Sequence, residues 1–376
     1  MHFFLIIAFL FSLLPLEPLF AQIKSNGRIE GVVMDAETGQ PVVGAHAFIG
    51  STMIGTVTDS EGRFELDLIP PGTHSLWLSM IGYTPMSEEF TVGEITLAER
   101  PFFELTMEPA VIQVGELTVT AKRDRRWKRR LKSFNKMFVG ETPFSQETEI
   151  TNSEMLDFDS NWLGVFQANA GEPLLITNNA LGYHVKYVLK EFKREGSTLR
   201  YDGDPLFEEL VPDTEEQKER WKENRVLAFN GSFHHFLLAL LDGSTKKEGF
   251  EVMHVPSVED IASSNRRFGI DPLTLIVPGT ESGEKLLSFR GVLEISYLNE
   301  KEGHHYLRWR GESPHKRPSY QKSWIRLTNG PTAIDANGEV IDPYGVTVYG
   351  YFAYERIADE LPKEYRPDST RFTSDQ

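Results

Sequence analysis

Between Arg28 and Tyr83 the chain is cut into short alternating runs by turn residues about every eight to twelve positions. That spacing leaves room for strands of a few residues only, and short strands of this kind bury their apolar side by closing into a sandwich. Arg28 to Val33 forms the first run, followed by the turn Glu37-Thr38-Gly39-Gln40-Pro41. Ala45, Ala47 and Ile49 share one face of the next strand, with His46 and Phe48 on the other. Thr56 to Thr58 leads into Asp59-Ser60-Glu61-Gly62, where Gly62 suits a positive-φ turn position. Phe64 and Leu66 resume the alternation, Pro70-Pro71-Gly72 turns the chain again, and Leu76, Leu78 and Met80 face one way before Ile81-Gly82-Tyr83.

The order Gly31 to Pro41 (G-x-V-x-D-x-x-T-G-x-P), Gly44-Ala45, Gly55 to Phe64 (G-T-x-T-D-x-x-G-x-F), Pro70 to Gly72 and Ile81 to Tyr83 resembles the carboxypeptidase regulatory-like family. The resemblance covers about a fifth of the chain. It implies a seven-stranded sandwich of transthyretin-like type, concerned with folding and protein contact and carrying no peptidase site. Gram-negative bacteria place such domains ahead of TonB-dependent receptors and of uncharacterised envelope proteins. Asn178 to Tyr183, Gly231 to Leu237 and Gly350 to Pro362 resemble the latter.

Residues 3–14 are apolar except for Ser12, and Pro15 and Pro18 break the run before Leu19-Phe20-Ala21-Gln22. A short apolar stretch ending in a small residue reads as a secretory signal peptide over 1–21, cleaved between Ala21 and Gln22. Twelve residues are too few to cross a bilayer as a helix, and no later run reaches eighteen apolar residues, so no transmembrane segment is expected in the mature chain. The expected location is the periplasm or the periplasmic face of the outer membrane of a Gram-negative bacterium. There is no cysteine, which excludes disulfides, thiolate metal sites and a thiol nucleophile. A formal charge of −16 argues against nucleic acid as a partner.

The expected organisation is a sandwich over 23–108, a linker with a basic helix over 109–140, a mixed α+β, mostly antiparallel domain over 141–366, and a flexible tail over 367–376. The fold class is mainly β. Val114 to Lys122 resembles the segment that leads into the plug of TonB-dependent receptors, but no plug-like sequence follows. From Lys122 to Lys132 the chain carries +7, leaving −23 on the remainder. Trp127, Leu131, Phe134 and Phe138 are spaced four, three and four apart, one face of a helix that Gly140 can stop. The preferred reading is a connecting helix whose apolar stripe packs on the second domain. The other is a contact surface formed by Arg126, Lys128, Arg129 and Arg130, meeting anionic headgroups or an acidic partner.

In the second part Tyr183, Val185, Tyr187 and Leu189 alternate as a half-buried strand between turns at Asn178 to Gly182 and Glu195 to Ser197. Leu287 to Leu298, His305 to Arg310 and Ser323 to Thr328 read as extended, and Asn337-Gly338 as a type I′ hairpin turn. Thr214 with Gln217 opens a helix through about Asn224. Ser232 to Leu241 reads as a buried helix closed by Gly243, and Tyr354 to Leu361 as a last short one stopped by Pro362.

No catalytic constellation is legible. None of the ten histidines is followed by Glu three positions later, and the adjacent pairs His234-His235 and His304-His305 point to different faces. No G-x-S-x-G elbow and no glycine-rich phosphate loop occurs. The turn Asp59 to Gly62 lacks the further ligands of a calcium loop. No catalytic residue, cofactor or metal ligand is therefore assigned. The aromatics Trp162, Tyr183, Trp309, Trp324, Tyr349 and Tyr351 read as core ahead of a sugar- or peptide-binding platform. The function expected is a non-catalytic envelope module that binds a protein or glycan or supports an assembly. Its alternatives are an accessory of a TonB-dependent transporter and a hydrolase with a dispersed site. Peripheral membrane contact is compatible with the first of these. Intact-mass measurement of the exported protein should give a chain beginning at Gln22; recovery of residues 3–14 in the mature form would refute the cleavage.

Overall fold

The computed structural model describes residues 27–92, 101–110, 125–160, 164–262, 266–279, 285–313, 315 and 317–367. The signal-peptide reading of 1–21, the Val114 to Lys122 segment and most of the tail lie outside the described residues. The chain is mainly β, with mostly antiparallel sheets.

Seven strands build the N-terminal sandwich: β1 (Gly27–Asp35), β2 (His46–Ile49), β3 (Gly55–Val57), β4 (Arg63–Ile69), β5 (Gly72–Ser79), β6 (Met86–Val92) and β7 (Phe102–Met107). One sheet has the order β4-β1-β7 and the other β3-β2-β5-β6, with β1 and β7 parallel. The inward residues are those the alternation marks: Ala45, Ala47, Ile49, Phe64, Leu66, Leu76 and Leu78 are buried in one cluster. The motif residues hold the turns. Asp35 accepts from the backbone N–H of Glu37 and Thr38, and the Tyr83 hydroxyl donates to its other oxygen at 2.7 Å. The Tyr83 hydroxyl and the Thr38 amide hold the Asp35 carboxyl down at about 2. Asp59 accepts from Glu61 and Arg63, and Gly62 has φ +73° with the Val33 carbonyl where a Cβ would stand.

Helix α1 (Arg125–Phe138) follows, then a 3₁₀ turn at Phe144–Glu147 and six strands. These are β8 (Thr148–Ile150), β9 (Leu156–Ser160), β10 (Phe166–Ala170), β11 (Leu174–Asn178), β12 (Tyr183–Glu195) and β13 (Thr198–Glu209). The long strand β12 organises them: β11 pairs with its first half, β10 with its last residues, and β13 along its whole length. Helix α2 (Glu215–Phe229) starts at Thr214, whose hydroxyl accepts from Gln217 N–H; Gln217 in turn accepts from the backbone of Asp213. It runs five residues beyond the expected end because Ala228 and Phe229 are buried. Its side chains close the turn before β12, Trp221 donating to Asn179 O, Asn224 to Ala180 O and Arg225 to Leu181 O.

The remaining elements are α3 (Phe233–Leu241), β14 (Phe250–Val255), β15 (Phe268–Gly269), β16 (Ile276–Pro278), β17 (Lys285–Leu287) and β18 (Val292–Lys301). After them come α4 (His304–Trp309), β19 (Tyr320–Leu327), β20 (Thr332–Ile334), β21 (Val346–Gly350) and α5 (Tyr351–Tyr354). A sheet of order β15-β14-β18-β19-β21 packs against α3, and β16-β17-β20 forms a small sheet beside it. Ser232 caps α3 by accepting from His235 N–H, and Gly243 follows it at φ +65°.

Four local expectations are corrected here. His305 to Arg310 is helical: Tyr306 and Leu307 are adjacent and both buried, which a strand with one solvated face does not allow, and Tyr306 stacks on Trp309 one turn on. The run from Leu287 to Leu298 is broken between β17 and β18, where Gly291 turns at φ +74°. At Asp335 to Gly338 only Gly338 has positive φ, so the turn is not type I′; Asp335 instead accepts from the backbone of Asn337 and Glu339. The last helix is α5, ending where it was expected to begin, with a 3₁₀ turn at Ile357–Asp359 after it.

Phe64 is 5% exposed and faces Gly31 across β1 and β4. Phe64→Ala should cost about 3–5 kcal/mol, read from denaturant melts, because the large cavity would be lined by the rigid backbone of β1.

Candidate contact surface

Helix α1 is held by its apolar stripe. Phe134 and Phe138 are fully buried, their ring centroids 4.9 Å apart, and they meet Phe192 and Tyr187 of β12 at 4.6 and 5.0 Å. Trp127 and Leu131 pack against the same core. The helix also covers the free edge of β9. Trp127 Nε1 donates to Leu156 O at 3.2 Å, and Arg130 donates to Phe158 O at 2.8 Å and to Ser160 Oγ at 2.6 Å. These carbonyls belong to an edge strand that would otherwise be open to pairing with another chain. Arg130 is thus tied to the sheet edge, whereas Arg126, Lys128 and Arg129 are exposed, together with Arg125, Lys132 and Lys136.

Between α1 and the 3₁₀ turn Phe144–Glu147 lies an open cleft of about 360 Å³. Lys128, Lys132 and Lys136 line its helix side, Ser145 and Thr148 the other, with Leu131 among the apolar lining. Lys136 pairs with Glu141 at 2.7 Å. Lys128 and Lys132 have no anionic partner among the described residues. A second hollow of about 350 Å³ is lined by His254, Phe268 and Arg290, with the His254 Nε2 already on the Arg290 carbonyl.

A polar cluster lies at the junction between the sandwich and the remainder. The outer face of β2 and β5 is apolar there: Phe48 and Trp77 are buried against Leu206 of β13. Beside them the loop Gly50 to Met53 is stitched to three other segments. Ser51 N–H donates to Pro205 O, Thr52 O accepts from Phe207 N–H, and Ser51 O accepts from Lys363 N–H. Ser51 Oγ donates to Glu339, Met53 N–H donates to Glu364, and Asn337 Nδ2 donates to Pro71 O. Lys363, buried to 7% exposure, meets Glu339 at 2.9 Å and Asp335 at 3.8 Å. Burial opposes its charge, and the two carboxylates hold the pKa above the ordinary lysine value.

Residues 29–119 match the family model of the CarboxypepD_reg-like domain, about a quarter of the chain. This part of the chain is a CarboxypepD_reg-like domain. No curated protein matches the chain. Among solved structures, a streptococcal ancillary pilin is 18% identical over 23% of this chain and 30% of its own, with a TM-score of 0.19. A cohesin–dockerin complex from Acetivibrio cellulolyticus is 19% identical over 22% and 58%, with a TM-score of 0.18. A group B streptococcus pilus 2b backbone protein is 16% identical over 23% and 42%, with a TM-score of 0.19. The chain spans less than two thirds of each, and similarity at these scores carries no inference about activity.

The junction was not legible in the sequence, because Ser51, Glu339 and Lys363 lie far apart along the chain and none sits in a recognisable motif. One signal was present: the Pro70-Pro71-Gly72 turn of the CarboxypepD_reg-like domain is the segment that Asn337 meets. The aromatics expected as core or platform do not share one surface. Tyr183 is buried under the Arg225 guanidinium, Trp324 donates to the buried Glu294, and Trp309 and Tyr351 cluster with Tyr306 and Tyr354; Trp162 lies outside the described residues. Among the described residues no group of side chains is placed to hold a metal ion, and no helix is long and apolar enough to cross a membrane.

Two histidines flank the junction. His74 is 2% exposed with Nε2 at 2.7 Å from Pro70 O, and His234 places Nε2 at 2.7 Å from Asn337 O. Burial pushes both down to about 4. Such a group binds its proton more readily in the unfolded chain, so its stabilisation is complete above pH 6.5 and drains away as pH falls towards 4. Between pH 7 and pH 5 His74 should therefore lose about 2 kcal/mol of its contribution, read as the difference between wild type and His74→Gln in denaturant melts, because the buried Asp359 and Glu360, pushed up to about 7 and about 8, shift total stability the other way over the same interval. A difference between wild type and His74→Gln that does not change with pH would contradict the burial of the ring.

Proposed function

We propose that the protein is a non-catalytic binding or assembly module of the cell envelope, which presents the outer face of α1 to a protein partner. One observation carries the reading: Arg126, Lys128 and Arg129 stand exposed on a helix whose opposite face is locked into a core, in a chain of net charge −16. A rigidly seated helix keeps its charges in fixed positions, so less ordering entropy opposes their docking on a partner. The CarboxypepD_reg-like domain supports the same reading, since its family resemblance implies protein contact. The expected place of action is the periplasm or the periplasmic face of the outer membrane. A protein is preferred to a glycan because Tyr183 and Trp324 are already committed to Arg225 and Glu294.

Crosslinking of the mature protein in its own envelope, followed by capture and mass spectrometry, tests the proposal. The Arg126→Gln, Lys128→Gln, Arg129→Gln variant should lose the partner while its melting temperature stays put, because exposed charges contribute about 0–1 kcal/mol per pair. Arg130→Gln should behave oppositely. It should keep the partner and lose about 1–3 kcal/mol of stability, since the edge carbonyls of β9 lose a charged donor. Partner capture that survives the triple substitution would remove α1 from the interface.

A further inference from the structure

Resting on that reading, we propose that the cleft beside α1 receives an extended acidic segment of the partner, with carboxylates at alternate positions meeting Lys128 and Lys132. The spacing is the first reason. Residues four apart on a helix rise about 6 Å along its axis. Alternate residues of an extended strand are about 6.6 Å apart and point the same way. Two carboxylates at positions i and i+2 therefore fall in register with the two lysines.

The chemistry of the opposite wall is the second. Ser145 Oγ donates to Thr142 O at 2.7 Å and Thr148 Oγ1 to Phe144 O at 2.9 Å. With its only proton spent, each hydroxyl offers lone pairs alone. The cleft is thus cationic on one side and accepting on the other. A peptide fits both walls, because it brings carboxylates and backbone N–H groups together. A phosphodiester by itself brings acceptors for the lysines and no donor for the hydroxyls, and a headgroup has no row of evenly spaced N–H groups to offer them. The methylenes of a glutamate also suit Leu131 in the lining. Finally, the three lysines that line this cleft are not equivalent: Lys136 is spent on Glu141, which leaves Lys128 and Lys132 as the pair available inside it.

Two fluorescent peptides of equal charge test this, one repeating Glu-Ala and one repeating Glu-Glu-Ala-Ala, which has no acidic pair at i and i+2. Titrated by anisotropy at low salt, the alternating peptide should bind about tenfold tighter, and the advantage should shrink as salt screens the pairs. Lys128→Gln with Lys132→Gln should abolish the difference, while Arg125→Gln with Arg129→Gln should leave it, both variants being checked for an unchanged melting curve. Equal binding of the two peptides, or indifference to Lys128 and Lys132, overturns the proposal. So does co-sedimentation with phosphatidylglycerol vesicles that depends on these lysines when neither peptide binds. Envelope crosslinking keeps this test separate from the functional reading. A partner captured independently of Lys128 and Lys132 leaves the reading standing and the cleft refuted. Peptide binding without any captured partner does the reverse.

Discussion

The loop from Gly50 to Met53 is the contact on which the arrangement of the two halves depends. Its backbone supplies hydrogen bonds to Pro205, Phe207 and Lys363, and its Ser51 side chain reaches Glu339. The geometry has a cost, since Ser51 sits at φ +63°, a region that residues other than glycine enter only when their surroundings hold them there. Gly50 beside it has no such freedom to lose: a Cβ would stand 2.5 Å from Asp204 Oδ1. The close approach lets Phe48 and Trp77 seal against Leu206, so that apolar burial and hydrogen bonding reinforce each other across the junction. Lys363 is buried there, and its two carboxylates replace the water it has lost. Removing Lys363 would leave the buried Asp335 carboxylate without its counter-ion, which is strongly destabilising.

Helix α1 is seated by a different logic. Among the described residues no buried ion pair holds it; four aromatic and aliphatic side chains do, with Trp127 and Arg130 donating to the edge of β9. This division explains why one basic run contains residues of two kinds. Arg130 lies one turn from both Trp127 and Phe134, on the side of the helix that faces the sheet edge. Lys128 and Arg129 lie away from it, and Arg126, one turn before Arg130, stands exposed on the same flank.

How far the sequence discloses this structure follows from where each fold-determining interaction sits along the chain. The sandwich is legible because its turns are local: Asp35, Asp59 and Gly62 each act within a few residues, and the alternation on β2, β4 and β5 is uninterrupted. The stripe on α1 is legible for the same reason. In the second part, local pattern and structure diverge where short apolar segments can satisfy either period. His305 to Arg310 has the aromatic content of a strand, and the tertiary packing of Tyr306 on Tyr351 and Tyr354 settles it as a helix. Asn337-Gly338 misleads in another way. Asn337 carries a positive-φ signal that the structure does not use, because its side chain is drawn to Asp335 and Pro71 instead.

The cleft shows the limit of reading surface charge from a run of basic letters. Eight basic residues in eleven describe a polyelectrolyte, which would attract any anion in proportion to its charge. Folded, the run is sorted. Arg130 is consumed, Lys136 just beyond the run is neutralised by Glu141, and Lys128 and Lys132 are left one helical turn apart against a wall of hydroxyl acceptors. Discrimination between anions then rests on spacing and on the demand for donors as well as acceptors, neither of which the charge count contains. A surface that selects by geometry needs its charges immobile, and the aromatic stripe of α1 is what immobilises them.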